Sequence, residues 1–358
     1  MSTRIKEMRV REFNIPLTEP FTITLGTTYK AENVLVSVEL ENGVVGYGEG
    51  APFVYVTGET QQTAIKTIEA AKSIVEGKDV TQYRAIAEEL ARTFRVQTAA
   101  RMAMEMAILD ALTKSWGIPM YQFFGGVSDQ VETDMTIPIV PAKEAYEKAK
   151  HWAEQGFNHL KIKVGTDLEA DVERVEAIAE AAPSCHLKVD ANQGYSPKQA
   201  LEFLSELEKR DIAIELLEQP VPHWDLKGMK FVTQNSGVPI AADESVFSSR
   251  DALRVALEGA ADIINIKLAK ASILDVVNIH AICQSYGLGL MVGCMIESRL
   301  ALSMAVHMTA GLGGFSYFDL DGFLSLAEEP IIGGFKEQAG VLSVAHVKAG
   351  IGAEPKKE

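Results

Sequence analysis

The feature that most constrains this chain is a series of short apolar runs, each carrying charge, that recur along its second half. They are LKIKVG with Lys161 and Lys163, LKVDANQ with Asp190, ELLEQP with Glu218, IAADES with Asp243 and IINIKLAK with Lys267. Successive acids lie roughly 25–30 residues apart, which suits one strand, one helix and two loops, because a parallel crossover needs a dozen or more connecting residues. Charges at the ends of successive buried strands point to an active site at one end of a β/α barrel.

From about Val131 the pattern alternates strand and helix. Strands are expected at Thr133–Ile137, His159–Val164, His186–Asp190, Ala213–Glu218, Pro239–Asp243, Asp262–Ile266, Gly289–Gly293 and Tyr317–Asp319. Helical patterns such as Ala142–Gln155, Asp167–Ala182, Pro197–Lys209 and Ile273–Tyr286 separate them. An open doubly wound sheet would lead with a glycine-rich phosphate turn after its first strand, and this chain has none there.

The N-terminal part reads differently. Alternation over Ile5–Phe13, and runs at Asn33–Glu41 and Val44–Gly48 flanking Asn42-Gly43, predict an antiparallel sheet with a tight hairpin. GYGEG (Gly46, Gly48, Gly50) is a turn or glycine-rich strand end, since no helix follows it. Loops are expected at Pro20–Lys30 and Ala51–Thr60, then helices at Gln61–Val75, Thr81–Phe94 and Thr98–Trp116. The division expected is an α+β capping domain over 1–125, a (β/α) TIM-type barrel over 126–325, and a segment over 326–358 whose strand-like GVLSV returns to the cap.

The 358 residues carry 49 acidic and 34 basic side chains, net −15, which argues against nucleic acid and anionic membrane as partners. Three scattered cysteines form no disulfide framework or zinc spacing, no run reaches membrane-spanning length, and the N-terminus lacks a signal-peptide core. A cytoplasmic protein acting on a small molecule is the expectation, and a homo-oligomer is compatible with it. The seven histidines show no metal-binding spacing, and neither a Gly-x-Ser-x-Gly elbow nor a Walker loop occurs.

Asp190, Glu218 and Asp243 come from three consecutive strand ends, hence one arc of a barrel rim. Any one alone reads as a helix N-cap. Three carboxylates converging without His or thiolate suit a hard cation, and Mg²⁺ fits best. Lys161 and Lys163 share one face of their strand. Its other face, Leu160, Ile162 and Val164, needs the helix layer, so the lysines face the barrel axis, where one cation lowers its neighbour's pKa. Lys267 comes from the opposite wall. Two lysines across a Mg²⁺ site suit removal of a proton from one face of a carbon and its return to the other, through a metal-stabilised enediolate.

These motifs in order (K-x-K, D-x-N, E-Q-P, A-D-E-S, N-I-K-L) resemble the enolase superfamily, muconate-lactonizing branch, over essentially the whole chain; Lys bases with Mg²⁺ are that superfamily's stated pattern. The resemblance implies a modified, enolase-like barrel with an α+β cap completed by the C-terminal tail. It also implies Lys163 and Lys267 as acid/base pair, Lys161 assisting, and one Mg²⁺ per subunit on Asp190, Glu218 and Asp243. YFDLDG puts Asp319 and Asp321 at the eighth strand end; such a pair suits a loop or cap, but at a barrel mouth it suits an ammonium group. This is similar to dipeptide epimerases, where a D-x-D holds the substrate amino terminus, and Thr136 matches a substrate position there. Cys294, Met295 and Ile296 end the seventh strand, Cys294 as a packed side chain with no His beside it in sequence.

One departure bears on substrate. Relatives acting on Ala-Glu carry an arginine in the first capping loop where this chain has Gly26, and the neighbouring contact positions Phe21 and Val56 are apolar. An uncharged or hydrophobic second residue in an L-Ala-type dipeptide is therefore expected. The alternatives are L-Ala-D/L-Glu epimerisation proper, N-acyl amino acid racemisation, o-succinylbenzoate synthesis or cycloisomerisation on the same site, and, outside catalysis, a Mg²⁺-binding scaffold.

Overall fold

A computed structural model describes residues 2–23 and 26–357, with the backbone alone for Phe21, Ile23 and Gly26. Strands β1 (Ile5–Ile23), β2 (Gly26–Leu40) and β3 (Val45–Gly50) form an antiparallel sheet in that order. The β2–β3 turn runs through Asn42-Gly43 as expected: Gly43 has φ +84°, and the Asn42 side chain accepts the Val44 N–H at 3.0 Å.

Within Pro20–Lys30, expected as a loop, the described residues 20–23 and 26–30 are strand. The β1–β2 ribbon continues there, pairing Phe21 with Thr28 and Thr22 with Thr27, after a register shift between Pro16 and Phe21. Pro16 and Pro20 cannot donate to a ladder. The chain absorbs them in that irregularity, and β-branched Thr22 and Thr27 then pair across the strands, hydroxyl to hydroxyl at 2.9 Å. Ala51–Thr60 does lack regular structure.

Helices α1 (Gln61–Val75) and α3 (Thr98–Trp116) pack on this sheet, and α2 (Tyr83–Thr93) packs on those two helices. The glycines of GYGEG lie within strand β3 and serve close approach to α3. A Cβ at Gly48 would stand 2.1 Å from the Ala103 carbonyl oxygen, and one at Gly46 2.2 Å from that of Ala107. Only a bare backbone fits against the alanine ridge of a helix that is buried from Thr98 to Thr113.

Eight parallel strands follow in a single sheet whose spatial order is their chain order: Met135–Ile137, His159–Lys163, His186–Asp190, Leu216–Glu218, Ile240–Ala242, Ile263–Lys267, Gly289–Gly293 and Tyr317–Asp319. The ends meet, since Asp134 N–H donates to the Phe318 carbonyl at 3.1 Å and Leu320 N–H to the Thr133 hydroxyl at 2.7 Å. The fourth and fifth strands are shorter than the apolar runs that announced them, because those runs also cover the turns into the barrel. Alternate residues divide the barrel. Leu160, Ile162, Leu187, Val189, Ile264 and Ile266 join the main core under the helices. Inside, Leu216, Ala241, Ile263 and Met291 make a separate apolar plug, and the charged residues lie nearer the C-terminal ends of the strands.

The C-terminal segment ties the parts together. GVLSV was expected to return to the cap, but its strand Val341–Ser343 pairs with Gln130–Glu132, beyond the cap. The tail reaches the cap instead where Ile351 N–H donates to Asp110 of α3 at 2.8 Å, and Ile331–Gly333 pairs with Ala353–Pro355. No helix among the described residues is long and apolar enough to cross a membrane.

Candidate active site

Parallel register brings the strand-end charges level: Lys163 beside Asp190, and Asp190 beside Glu218. Carboxylate oxygens of Asp190, Glu218 and Asp243 lie within 4.8 Å of one another, all buried. Three converging carboxylates call for a cation to balance their charge, and four lysines do part of that work. Lys161 Nζ sits 3.0 Å from Asp190, 2.8 Å from Glu218 and 2.6 Å from Asp319; Lys163 reaches Asp190 at 2.6 Å and Lys267 reaches Asp243 at 2.7 Å. The fourth, Lys270, sits on a short turn of helix after the sixth strand and donates to both the side chain and the carbonyl of Asp243.

The protonation states follow from this arrangement. Burial works against the Lys161 charge, but Asp319, Glu218 and Asp190 outweigh it and raise the group well above the ordinary lysine range. Burial likewise opposes the Lys267 charge, and Asp243 overrules it, so Lys267 rests as an ammonium. Lys161 thus corrects the expectation that the cation beside it lowers its pKa, because the carboxylates around it prevail. Burial would raise Asp190 and Asp243, yet their lysines hold both below the usual carboxylate range. Glu218, pushed by burial and then by Asp190, rises to about 7.

The carboxylate set fits a divalent cation on its own geometry. Glu218 Oε2 and Asp243 Oδ2 are buried and face ammonium groups, Lys161 at 2.8 Å and Lys267 at 2.7 Å. Each oxygen retains a further lone pair for a ligand, and an all-oxygen donor set matches Mg²⁺. Asn265 donates to the other Glu218 oxygen at 2.6 Å and so orients it.

Across the barrel Thr136, Asp319 and Asp321 come together. Thr136 N–H donates to Asp321 at 2.6 Å, and its hydroxyl lies 3.4 Å from Asp319. Against burial, Lys161 and Lys163 hold Asp319 down at about 2, whereas burial and then Asp319 push Asp321 up to about 6. A second acidic group, Asp134 with Asp319 and Asp321, continues below them, and Lys188 pairs with Asp134 at 2.6 Å.

A cavity of about 950 Å³, including its open mouth, lies under the cap beside these groups, although Asp190, Glu218 and Asp243 are not among its lining residues. Lys163, Lys267, Thr136, Asp319 and Asp321 line it, together with Cys294, Met295 and Ile296, and Val56 with Ala31, Ala51, Pro52 and Phe53 from the cap. Burial, reinforced by Asp319 and Asp321, pushes the Cys294 thiol well up, which suits packing rather than attack. The side chains of Phe21 and Gly26 lie outside the described residues. Lys270, Lys188, Asn265, Asn192 and Glu244 all lie inside the motifs quoted above, yet none of them was singled out from sequence. Lys270 follows Lys267 by one helical turn, the spacing that could have flagged it.

An (β/α) barrel whose mouth joins a carboxylate triad to lysines from opposite walls, beneath an α+β cap, defines an enolase-type isomerase. Residues 5–125 match the mandelate racemase/muconate lactonizing enzyme N-terminal domain, and residues 144–358 the enolase C-terminal domain-like family. The chain belongs to the mandelate racemase/muconate lactonizing enzyme family of the enolase superfamily, among its dipeptide epimerases, and is an isomerase of the racemase and epimerase kind. It is 45 % identical to the aromatic dipeptide epimerase of Herpetosiphon aurantiacus over 97 % of this chain and 98 % of that protein. The dipeptide epimerase of Enterococcus faecalis, solved with Mg and L-Leu-L-Tyr, superposes with TM-score 0.95 at 38 % identity, covering 98 % of this chain and 99 % of that one. The L-Ala-D/L-Glu epimerase of Bacillus subtilis, in a substrate-liganded complex, superposes with TM-score 0.97 at 36 % identity, covering 99 % and 100 %.

Proposed function

We propose that the protein is a Mg²⁺-dependent dipeptide epimerase that inverts the α-carbon of the second residue of an L-Ala-type dipeptide by 1,1-proton transfer, favouring uncharged or hydrophobic side chains there. The observation that carries this reading is a single cavity lined by two lysines from the second and sixth barrel strands, a D-x-D pair, and an apolar cap wall. Lys163 and Lys267 act on opposite faces of the α-carbon, one removing the proton and the other, as an ammonium, delivering one. Asp319 and Asp321, with Thr136, hold the free amino group. Lys161 keeps the buried carboxylates together. One Mg²⁺ per subunit, held by Asp190, Glu218 and Asp243, would supply positive charge beside the substrate carboxylate.

The hydrophobic preference rests on Val56, Phe53, Pro52, Ala51, Met295 and Ile296 in the wall. The named substrates of the Herpetosiphon and Enterococcus relatives agree with it. A reading as an L-Ala-D/L-Glu epimerase has one feature in its favour, the cavity-lining Lys30, which could face an acidic side chain. Lys30 is already paired with Glu32 at 2.7 Å, which blunts that attraction.

The test is incubation with Mg²⁺ and L,L-dipeptides in D₂O, reading α-proton exchange by mass. A one-dalton gain in L-Ala-L-Phe and L-Ala-L-Leu, abolished by EDTA, is the expected result. Much faster labelling of L-Ala-L-Glu would overturn the hydrophobic preference. Labelling of N-acyl amino acids but no free-amine dipeptide would replace the epimerase reading with the racemase one.

A further inference from the structure

Lys163 is held by more than its metal-side neighbour. Its Nζ donates to Asp190 Oδ2 at 2.6 Å and also to Asn192 Oδ1 at 3.1 Å. The amide of Asn192 turns its other end toward Glu244, donating from Nδ2 to Oε1 at 3.1 Å. All four residues are at most 7 % exposed. Asn192 follows the third barrel strand and Glu244 the fifth, so the bridge spans the rim above the fourth.

The backbone at both ends is committed to this contact. Asn192 adopts φ +39°, a left-handed conformation that Asn tolerates better than most residues, and its N–H donates to Asp190 Oδ1 at 2.8 Å. Glu244 sits in a turn that Gln219 pins by accepting the N–H groups of Asp243 and Ser245 at 2.9 and 3.1 Å. The Lys163 end leaves the amide one orientation, because reversed its NH₂ would meet an ammonium.

We propose that Asn192 and Glu244 are positioning residues for Lys163: Glu244 orients the Asn192 amide, and the amide carbonyl aims the Lys163 amine at the substrate α-carbon. A lysine amine on four rotatable bonds needs such a second tether, because proton transfer demands near-contact geometry that a small displacement spoils. Lys267 is tethered separately, by Asp243; Glu244 adds to the favourable charge around it, but no hydrogen bond joins Lys267 to the bridge among those described. The hydrogen bonds of the bridge therefore reach Lys163 alone. This inference rests on the two-lysine reading above.

The test uses the Mg²⁺-loaded enzyme in D₂O and follows exchange from the L,L and L,D epimers of one dipeptide separately, with Lys163→Ala identifying the epimer that Lys163 attacks. Asn192→Gly, chosen because glycine accepts the positive φ, is expected to slow exchange from that epimer by about 10- to 100-fold. The other epimer should change by less than about threefold. Glu244→Leu should reproduce this asymmetry, and Glu244→Gln, which keeps the acceptor oxygen, should restore the wild-type ratio. Equal losses from both epimers would mean a merely structural or metal-side role and would overturn the proposal. A second readout is the Lys163 ¹⁵Nζ resonance of the labelled protein, assigned by its loss in Lys163→Arg. It should shift in Asn192→Gly and Glu244→Leu but not in Glu244→Gln, and an unmoved resonance rejects the bridge whether or not the protein epimerises dipeptides. Absence of exchange in the wild-type enzyme, with the resonance shifting as expected, would instead discard the two-lysine reaction and keep the tether.

Discussion

At the scale of single residues, the site concentrates charge that burial would ordinarily forbid. Lys161 touches three carboxylates and none of them is exposed; removing it would leave them facing one another in a low-dielectric interior. Lys161→Met should therefore unfold or strongly destabilise the protein, which thermal melts would show. Lys163→Ala and Lys267→Ala should instead retain the fold by circular dichroism and lose about 10²- to 10⁴-fold in epimerisation. Glu59 offers a separate pH test away from the site. It accepts the N–H groups of Ala99 and Ala100 at the start of α3, and burial raises it from 4.5 to about 7. A carboxyl group whose pKa is raised on folding gives stability that is full below its unfolded pKa and lost as pH climbs through the folded one. The melting temperature should fall between about pH 5 and 8, and Glu59→Gln should flatten that slope. An unchanged slope would remove Glu59 from the account.

At the scale of elements, strand β3 lies against α3 with no room for side chains at Gly46 and Gly48. Gly48→Ala would press a methyl group into the Ala103 carbonyl, and overpacking of this kind costs about 1–3 kcal/mol. A urea denaturation midpoint equal to wild type would show that helix and strand can separate freely. The same contact explains why GYGEG looked ambiguous in one dimension. Glycine spacing reports close approach but does not say whether a phosphate or a helix approaches. The β1–β2 ribbon teaches a related lesson, since β-branched Thr22, Thr27 and Thr28 extend the strands into the stretch expected as a loop.

At the scale of the whole molecule, cap and barrel share a cavity and are locked by a buried contact. Glu49 of β3 accepts from the Ser298 N–H and hydroxyl, the Ala301 N–H and the Asn33 side chain, so it caps a barrel helix from the other layer. A cation that binds the folded carboxylate triad alone must stabilise the entire assembly, by about 2.7 kcal/mol at a hundred times its dissociation constant. Mg²⁺ should thus raise the melting temperature, and Asp243→Asn should abolish the rise. A similar rise in that variant would place the binding elsewhere. We also propose the division 1–125, 126–325 and 326–358 as the folding arrangement, although pairing of Gln130–Glu132 with Val341–Ser343 makes its last boundary a structural seam.

What this sequence determined by itself is the alternation of strands and helices, the ends of most of them, and which charged residues sit at the strand ends. Those properties are local: period, turn chemistry and the spacing needed for a crossover are written in neighbouring residues. The candidate ligands Asp190, Glu218 and Asp243 and the lysines at 161, 163 and 267 were legible because barrel order converts chain order into adjacency. The partnerships across the rim were decided only in three dimensions. Lys161 with Asp319, Lys270 with Asp243, Asn265 with Glu218, and Asn192 with Glu244 join side chains from separate strand ends or turns. So were the charge states, because burial and the nearest opposite charge compete over a few ångströms that only closure of the barrel defines.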